Sequence, residues 1–133
     1  LMNENPFSKT RFDLARNNIS RLKEIFKSGH LDDFINLTES EALMIHSLML
    51  SSNPYFILMK PNTLEVIQRV LEYRRDTKLP ISFTLDAGSN VHLLYPNSVK
   101  TSIHKFIEGD LLKFCKSKIH IHDSLGMGSE KLL

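Results

Sequence analysis

Cysteine is nearly absent: Cys115 stands alone among 133 residues. One thiol cannot close an internal disulfide, which excludes a secreted disulfide framework and favours a reducing setting, the cytoplasm. Long apolar runs are missing as well. The longest is Tyr55-Phe56-Ile57-Leu58-Met59, far short of the ~20 residues that span a bilayer. No basic stretch leading into an apolar one occupies Leu1 to Phe7, so no signal peptide is read. Charge of one sign is scarce too. Seventeen basic and 15 acidic side chains leave a net +2, too mild to argue for nucleic acid. Repeats, linkers and low-complexity stretches are not visible. What remains is ordinary globular usage, 41% hydrophobic and 24% charged, in a length that suits one domain over 1–133 with a real core. The opening Leu1-Met2-Asn3, with Met in second place, reads as a piece of a longer protein.

The chain divides into helices, then alternating elements. Asn5-Pro6 reads as a helix start. Phe12, Ala15, Ile19, Leu22 and Phe26 follow at the spacing of one helical face, up to Gly29. A second helix starts near Asp32, with Phe34, Leu37, Glu41, Ile45 and Leu48 on one side, and stops at Ser51-Ser52-Asn53-Pro54. Tyr55 to Met59 reads as a short strand. Pro61 opens a helix carrying Leu64, Ile67, Val70 or Leu71, and Arg74, closed by Leu79-Pro80. Ile81 to Leu85 and Val91 to Tyr95 read as a hairpin around Asp86-Ala87-Gly88-Ser89-Asn90. Pro96-Asn97-Ser98 begins a helix with Val99, Ile103, Phe106, Ile107, Leu111 and Phe114, and Ile119 to His122 alternates as a last strand. Two helices followed by βαββαβ predict an α+β, ferredoxin-like antiparallel sandwich. Residues 124–133 read as a loose tail.

The hairpin turn is the segment most suited to chemistry. Asp86 ends a well-patterned strand and is followed by small residues, which let backbone amides approach a ligand beside a carboxylate. Asp, Gly and Asn are also good turn formers in their own right. His120 and His122 fall on one face of a strand, a metal pair that lacks a convergent third ligand, so no metal site is predicted. Cys115, beside Phe114, reads as packing, and Met44, Met49 and Met59 as core filler. Mixed basic and acidic residues around Lys23, Lys27 and Arg74-Arg75 read as solvated faces.

Phe83-Thr84-Leu85-Asp86-Ala87-Gly88-Ser89-Asn90 resembles the phenylalanine-threonine-x-aspartate-alanine-glycine-proline-asparagine signature of mevalonate diphosphate decarboxylases. These enzymes belong to the galactokinase–homoserine kinase–mevalonate kinase superfamily. Glu39 to His46 resembles the family's helix ending in methionine-histidine-alanine. Ser52-Asn53-Pro54-Tyr55 resembles the segment after it, and Gly126-Met127-Gly128 a glycine-rich element near the C-terminus. The likeness covers nearly the whole chain, as the C-terminal half of such an enzyme. Two departures stand out: Ser89 replaces the family's proline, and Ser129 stands where a proline usually follows the glycines.

The resemblance implies a reaction. ATP phosphorylates the tertiary 3-hydroxyl of mevalonate 5-diphosphate, and phosphate leaves as CO2 is lost, giving isopentenyl diphosphate. It places the catalytic aspartate on Asp86, with Ala87, Gly88, Ser89, Asn90 and His46 on the substrate side. It implies ATP and Mg in the full-length enzyme, with neither expected on this piece. No G-x-x-x-x-G-K-[ST] or G-x-G-x-x-G occurs here, and the superfamily's phosphate loop belongs to the N-terminal half. The expected partner is that ATP-binding half, without which the piece is inactive; self-pairing into a homodimer is an alternative cover for the same surface. Neither nucleic acid nor membrane is an expected partner. Two other functions share the topology: a small-molecule-binding regulatory module, which would not need Asp86 at the hairpin, and an RNA-binding module, for which Val91 to Leu94 lacks stacking aromatics.

Overall fold

The computed structural model describes residues 5–126. Helix α1 spans Ser8–Ser28 and ends on Gly29, whose left-handed φ of 72° lets its N–H close on the Ile25 carbonyl. Asn5 sits one turn ahead of the helix. Its Oδ1 accepts from the Phe7 N–H, and its Nδ2 donates to the Leu48 carbonyl and Ser51 Oγ, each at 3.0 Å, tying the entry of α1 to the end of α2. Helix α2 spans Leu31–Leu50, and α3 spans Pro61–Thr77 with Pro in its first turn.

Only part of the face that apolar spacing predicts for α1, Ala15 and Leu22, is turned inward. Phe12, Ile19 and Phe26 are exposed. The row turned inward is Ser8, Arg11, Ala15, Asn18, Leu22 and Ile25. Glu41 of α2 is the cause. It accepts from Arg11 Nη2 and from Asn18 Nδ2, both at 2.7 Å, so charge-assisted hydrogen bonds orient the helix.

Strands β1 (Ser82–Leu85) and β2 (Val91–Leu94) form an antiparallel pair with Phe83 opposite Leu93 and Leu85 opposite Val91. Ile81, Phe83 and Leu85 pack with Val66, Ile67 and Val70 of α3 and with Ile103, Phe106, Ile107 and Leu111 that follow β2. Each such fully buried side chain is worth about 1.5–3 kcal/mol over its exposed state. Helix α2 packs along β1, so the strand is covered on both sides. After a 3₁₀ turn at Asn97–Val99, α4 runs over Lys100–Phe106 and widens into a π turn at Ile107–Leu111. Ile107 and Leu111 both lie in the core, and a π turn stands where a single regular helix was expected from the spacing.

The architecture is α+β, with an antiparallel hairpin under helices. The two outer strands expected for a complete βαββαβ sheet are not formed among the described residues. Residues 55–59 make no sheet pairing. Tyr55 and Ile57 are exposed while Met59 alone of the run reaches the core, so no alternating face is buried to hold a strand. Residues 119–122 also stay unpaired. Ser117 and Lys118 both take left-handed φ values, and Ile119 and Ile121 beyond them face solvent. Of the expected tail over 124–133, residues 124–126 carry no regular structure, and the rest lies outside the described residues. Among the described residues no helix is long and apolar enough to cross a membrane.

Candidate functional site

Residues 86–90 form the loop that joins β1 to β2. Small residues leave such a loop with wide conformational freedom, yet it is held at both ends by buried side chains from different helices. His46 of α2, 2% exposed, places Nε2 3.0 Å from the Asp86 carbonyl oxygen. A carbonyl only accepts, so Nε2 carries the proton. Thr63 of α3, also buried, donates its hydroxyl to the Ser89 carbonyl at 2.8 Å and accepts from the Lys60 N–H.

Asp86 extends its carboxylate from this held backbone. The side chain is 69% exposed and lies 3.9 Å from His92 Nε2. It borders an open groove of about 290 Å³ together with Ala87, Leu85, Thr84, Arg11, Glu41, Ala42 and Ile45. Gly88 sits close behind: a Cβ there would come within 3.1 Å of Asp86 Oδ1. A larger residue at 88 would therefore press on the carboxylate.

Of the residues expected at the site, Asp86 and Ala87 line the groove, Gly88 backs Asp86, Ser89 offers its carbonyl to Thr63, and Asn90 is exposed at the start of β2. His46, expected on the substrate side, is buried beneath the loop with its ring on the Asp86 carbonyl, outside the residues that line the groove. Sequence reasoning missed Thr63, Arg11 and His92. The only available signal was a hydroxyl in the first turn of α3 and an arginine one turn into α1. Among the described residues no three His, Cys, Asp or Glu side chains converge on a metal. The guanidinium in the groove, Arg11, pairs with Glu41 through Nη2, while its Nε and Nη1 are buried without a hydrogen-bond partner.

The histidine pair lies elsewhere. His120 and His122 bring their Nε2 atoms to 2.6 Å, and His122 stacks on His104 of α4 at 4.1 Å. His122 is held below its ordinary value of 6.5, first by loss of water around the ring, then by positive charge at His104, His120 and Lys100, with Glu108 opposing. The folded arrangement thus binds this proton less well than the unfolded chain. Its packing is intact above that ordinary value and weakens as pH falls below it. Nuclear Overhauser contacts between the His104 and His122 rings are expected to be stronger at about pH 8 than at about pH 5. Equal contacts at both values would contradict this. Cys115 is half-buried with Sγ toward the Leu111 carbonyl, a packing position.

A hairpin covered by helices, with an aspartate at a groove on its connecting loop, defines an α+β domain with a candidate site at the hairpin. Residues 4–125 match the family model described as "Mevalonate 5-diphosphate decarboxylase C-terminal domain", and the chain belongs to that family. A solved mevalonate diphosphate decarboxylase from Legionella pneumophila is 26% identical, with a TM-score of 0.76 over 84% of this chain and 35% of its own. The enzyme from Staphylococcus aureus is 25% identical, with a TM-score of 0.71 over 77% of this chain and 31% of its own. The fold is shared with the enzyme from Enterococcus faecalis, at 23% identity and a TM-score of 0.75 over 83% of this chain and 34% of its own. That structure addresses mevalonate diphosphate mediated ATP binding. The chain spans about a third of the length of these solved structures. No curated protein sequence matches it.

Proposed function

We propose that this chain is the C-terminal part of an ATP-dependent diphosphomevalonate decarboxylase and supplies the carboxylate that acts on the substrate's 3-hydroxyl. The observation that carries the reading is the position of Asp86: a carboxylate at a groove, on a loop whose backbone is fixed from below by His46 and from the side by Thr63. In this reading Asp86 orients the tertiary hydroxyl and takes its proton as the phosphoryl group arrives. A base placed within hydrogen-bond reach contributes about 10²–10⁴-fold. Ala87 and Gly88 leave room for the substrate beside it, and Ser89 and Asn90 extend the same wall.

ATP supplies the phosphoryl group that makes the 3-oxygen a leaving group; CO2 and phosphate then depart and leave isopentenyl diphosphate. The groups that hold ATP and its magnesium are assigned to the remainder of the enzyme. Two features support that division. Asp86 is too exposed here to work as a shielded base, and a second wall would exclude water and strengthen its interactions. In addition, α1 leaves Phe12, Ile19 and Phe26 uncovered, an apolar row of the kind that marks a contact surface.

The 133-residue chain alone is expected to release no CO2 from mevalonate diphosphate in the presence of ATP and magnesium, while the complete protein turns over. Turnover by the isolated chain would refute the division of labour.

A further inference from the structure

We propose that His46 and Thr63 are positioning residues: a two-point clamp, reaching from two helices, that sets where the Asp86 carboxylate stands. The inference rests on the reading of Asp86 as the base. Its own support is the hydrogen bonding. The loop from 86 to 90 contains alanine, glycine and serine, and nothing in that composition selects one conformation. Its two fixed points are the carbonyls of residues 86 and 89. The first accepts from His46 Nε2 and the second from Thr63 Oγ1. Both donors are buried and lie 40 and 26 residues away in sequence. Each joins the loop to a helix that also packs on β1, so the loop moves with the core and not separately from it. The His46 bond ends on the same residue whose carboxylate lines the groove. A shift of that carbonyl therefore swings the reacting group directly.

The test is made in the complete protein by steady-state kinetics with mevalonate diphosphate and ATP. His46→Leu removes the donor and keeps most of the volume; His46→Gln places an amide N–H near the position of Nε2. Misplacing a reacting group by ~1 Å can cost about 10²-fold. His46→Leu is accordingly expected to lower kcat by about 10- to 100-fold, with KM within about threefold of wild type. His46→Gln is expected to recover most of the loss. At the other anchor, Thr63→Val is expected to lower kcat in the same way and Thr63→Ser to retain it, which keeps the proposal testable should His46→Leu not fold. Wild-type kcat in folded His46→Leu and Thr63→Val would overturn the clamp, as would equal losses in His46→Leu and His46→Gln. Asp86→Asn, measured alongside, separates the two readings. If Asp86→Asn is inactive and the anchor variants are normal, the clamp alone fails. If Asp86→Asn is itself active, the assignment of the base fails.

Discussion

Arg74→Ala is expected to destabilise the fold by about 1–3 kcal/mol, the cost of leaving a buried polar group without its partner. Glu39 is the reason. Its side chain is 11% exposed and faces β1. It accepts from Arg74 Nη1 and Nη2 at 2.5 and 2.9 Å, and from the Phe83 N–H at 3.4 Å. Arg74 Nη1 also donates to the Ile81 carbonyl at 2.7 Å. One bidentate pair therefore stitches α2, α3 and the first residues of β1 together. Without the guanidinium, Glu39 is left as an uncompensated charge in the interior, and the Ile81 carbonyl loses its donor. The hydrogen bond to Glu39 raises Arg74 above the usual arginine value; burial works against it, and the charge of Glu39 adds to it. A raised value on a cationic group gives stability that is present at every lower pH and lost only in strong alkali. Urea denaturation at neutral pH checks the magnitude, and a loss under about 1 kcal/mol would contradict it. Replacing both partners by apolar residues of similar volume is expected to recover much of the loss, because no buried charge then remains.

Helices α2 and α3 and the hairpin were legible because their signals are local. Pro54, Pro61 and Pro80 bracket the helices, and alternation in Ile81 to Leu85 marks a strand. The groove aspartate was legible through the pattern around it. Other parts depended on contacts that no local pattern carries. The inward face of α1 is set by Glu41, 30 residues from Arg11 and 23 from Asn18, and apolar spacing alone recovers only Ala15 and Leu22 of it. Tyr55 to Met59 has the composition of a strand but has no strand beside it among the described residues. Ile119 to His122 alternates as a strand would, yet left-handed turns at Ser117 and Lys118 precede it. His46 was visible as a site residue, but its role was not. Its hydrogen bond to the Asp86 backbone exists only once α2 lies along β1. Arg74 looked like part of a solvated charge run, whereas Glu39, 35 residues earlier, draws it inward.

Asp86→Asn tests the account most directly. The substitution keeps shape and removes the charge and the basicity. Little in the fold depends on the carboxylate: it is mostly exposed, His92 stands 3.9 Å away, and the loop is held through the Asp86 carbonyl, which asparagine retains. Folding is expected to be unchanged, and the effect to fall on the chemical step. The measurement is ATP-dependent CO2 release from mevalonate diphosphate by the complete protein, wild type against Asp86→Asn, at saturating substrate. A kcat lower by about 10²–10⁴-fold in a folded variant is the expected result. Turnover within about threefold of wild type would remove Asp86 from the mechanism and the proposed function with it.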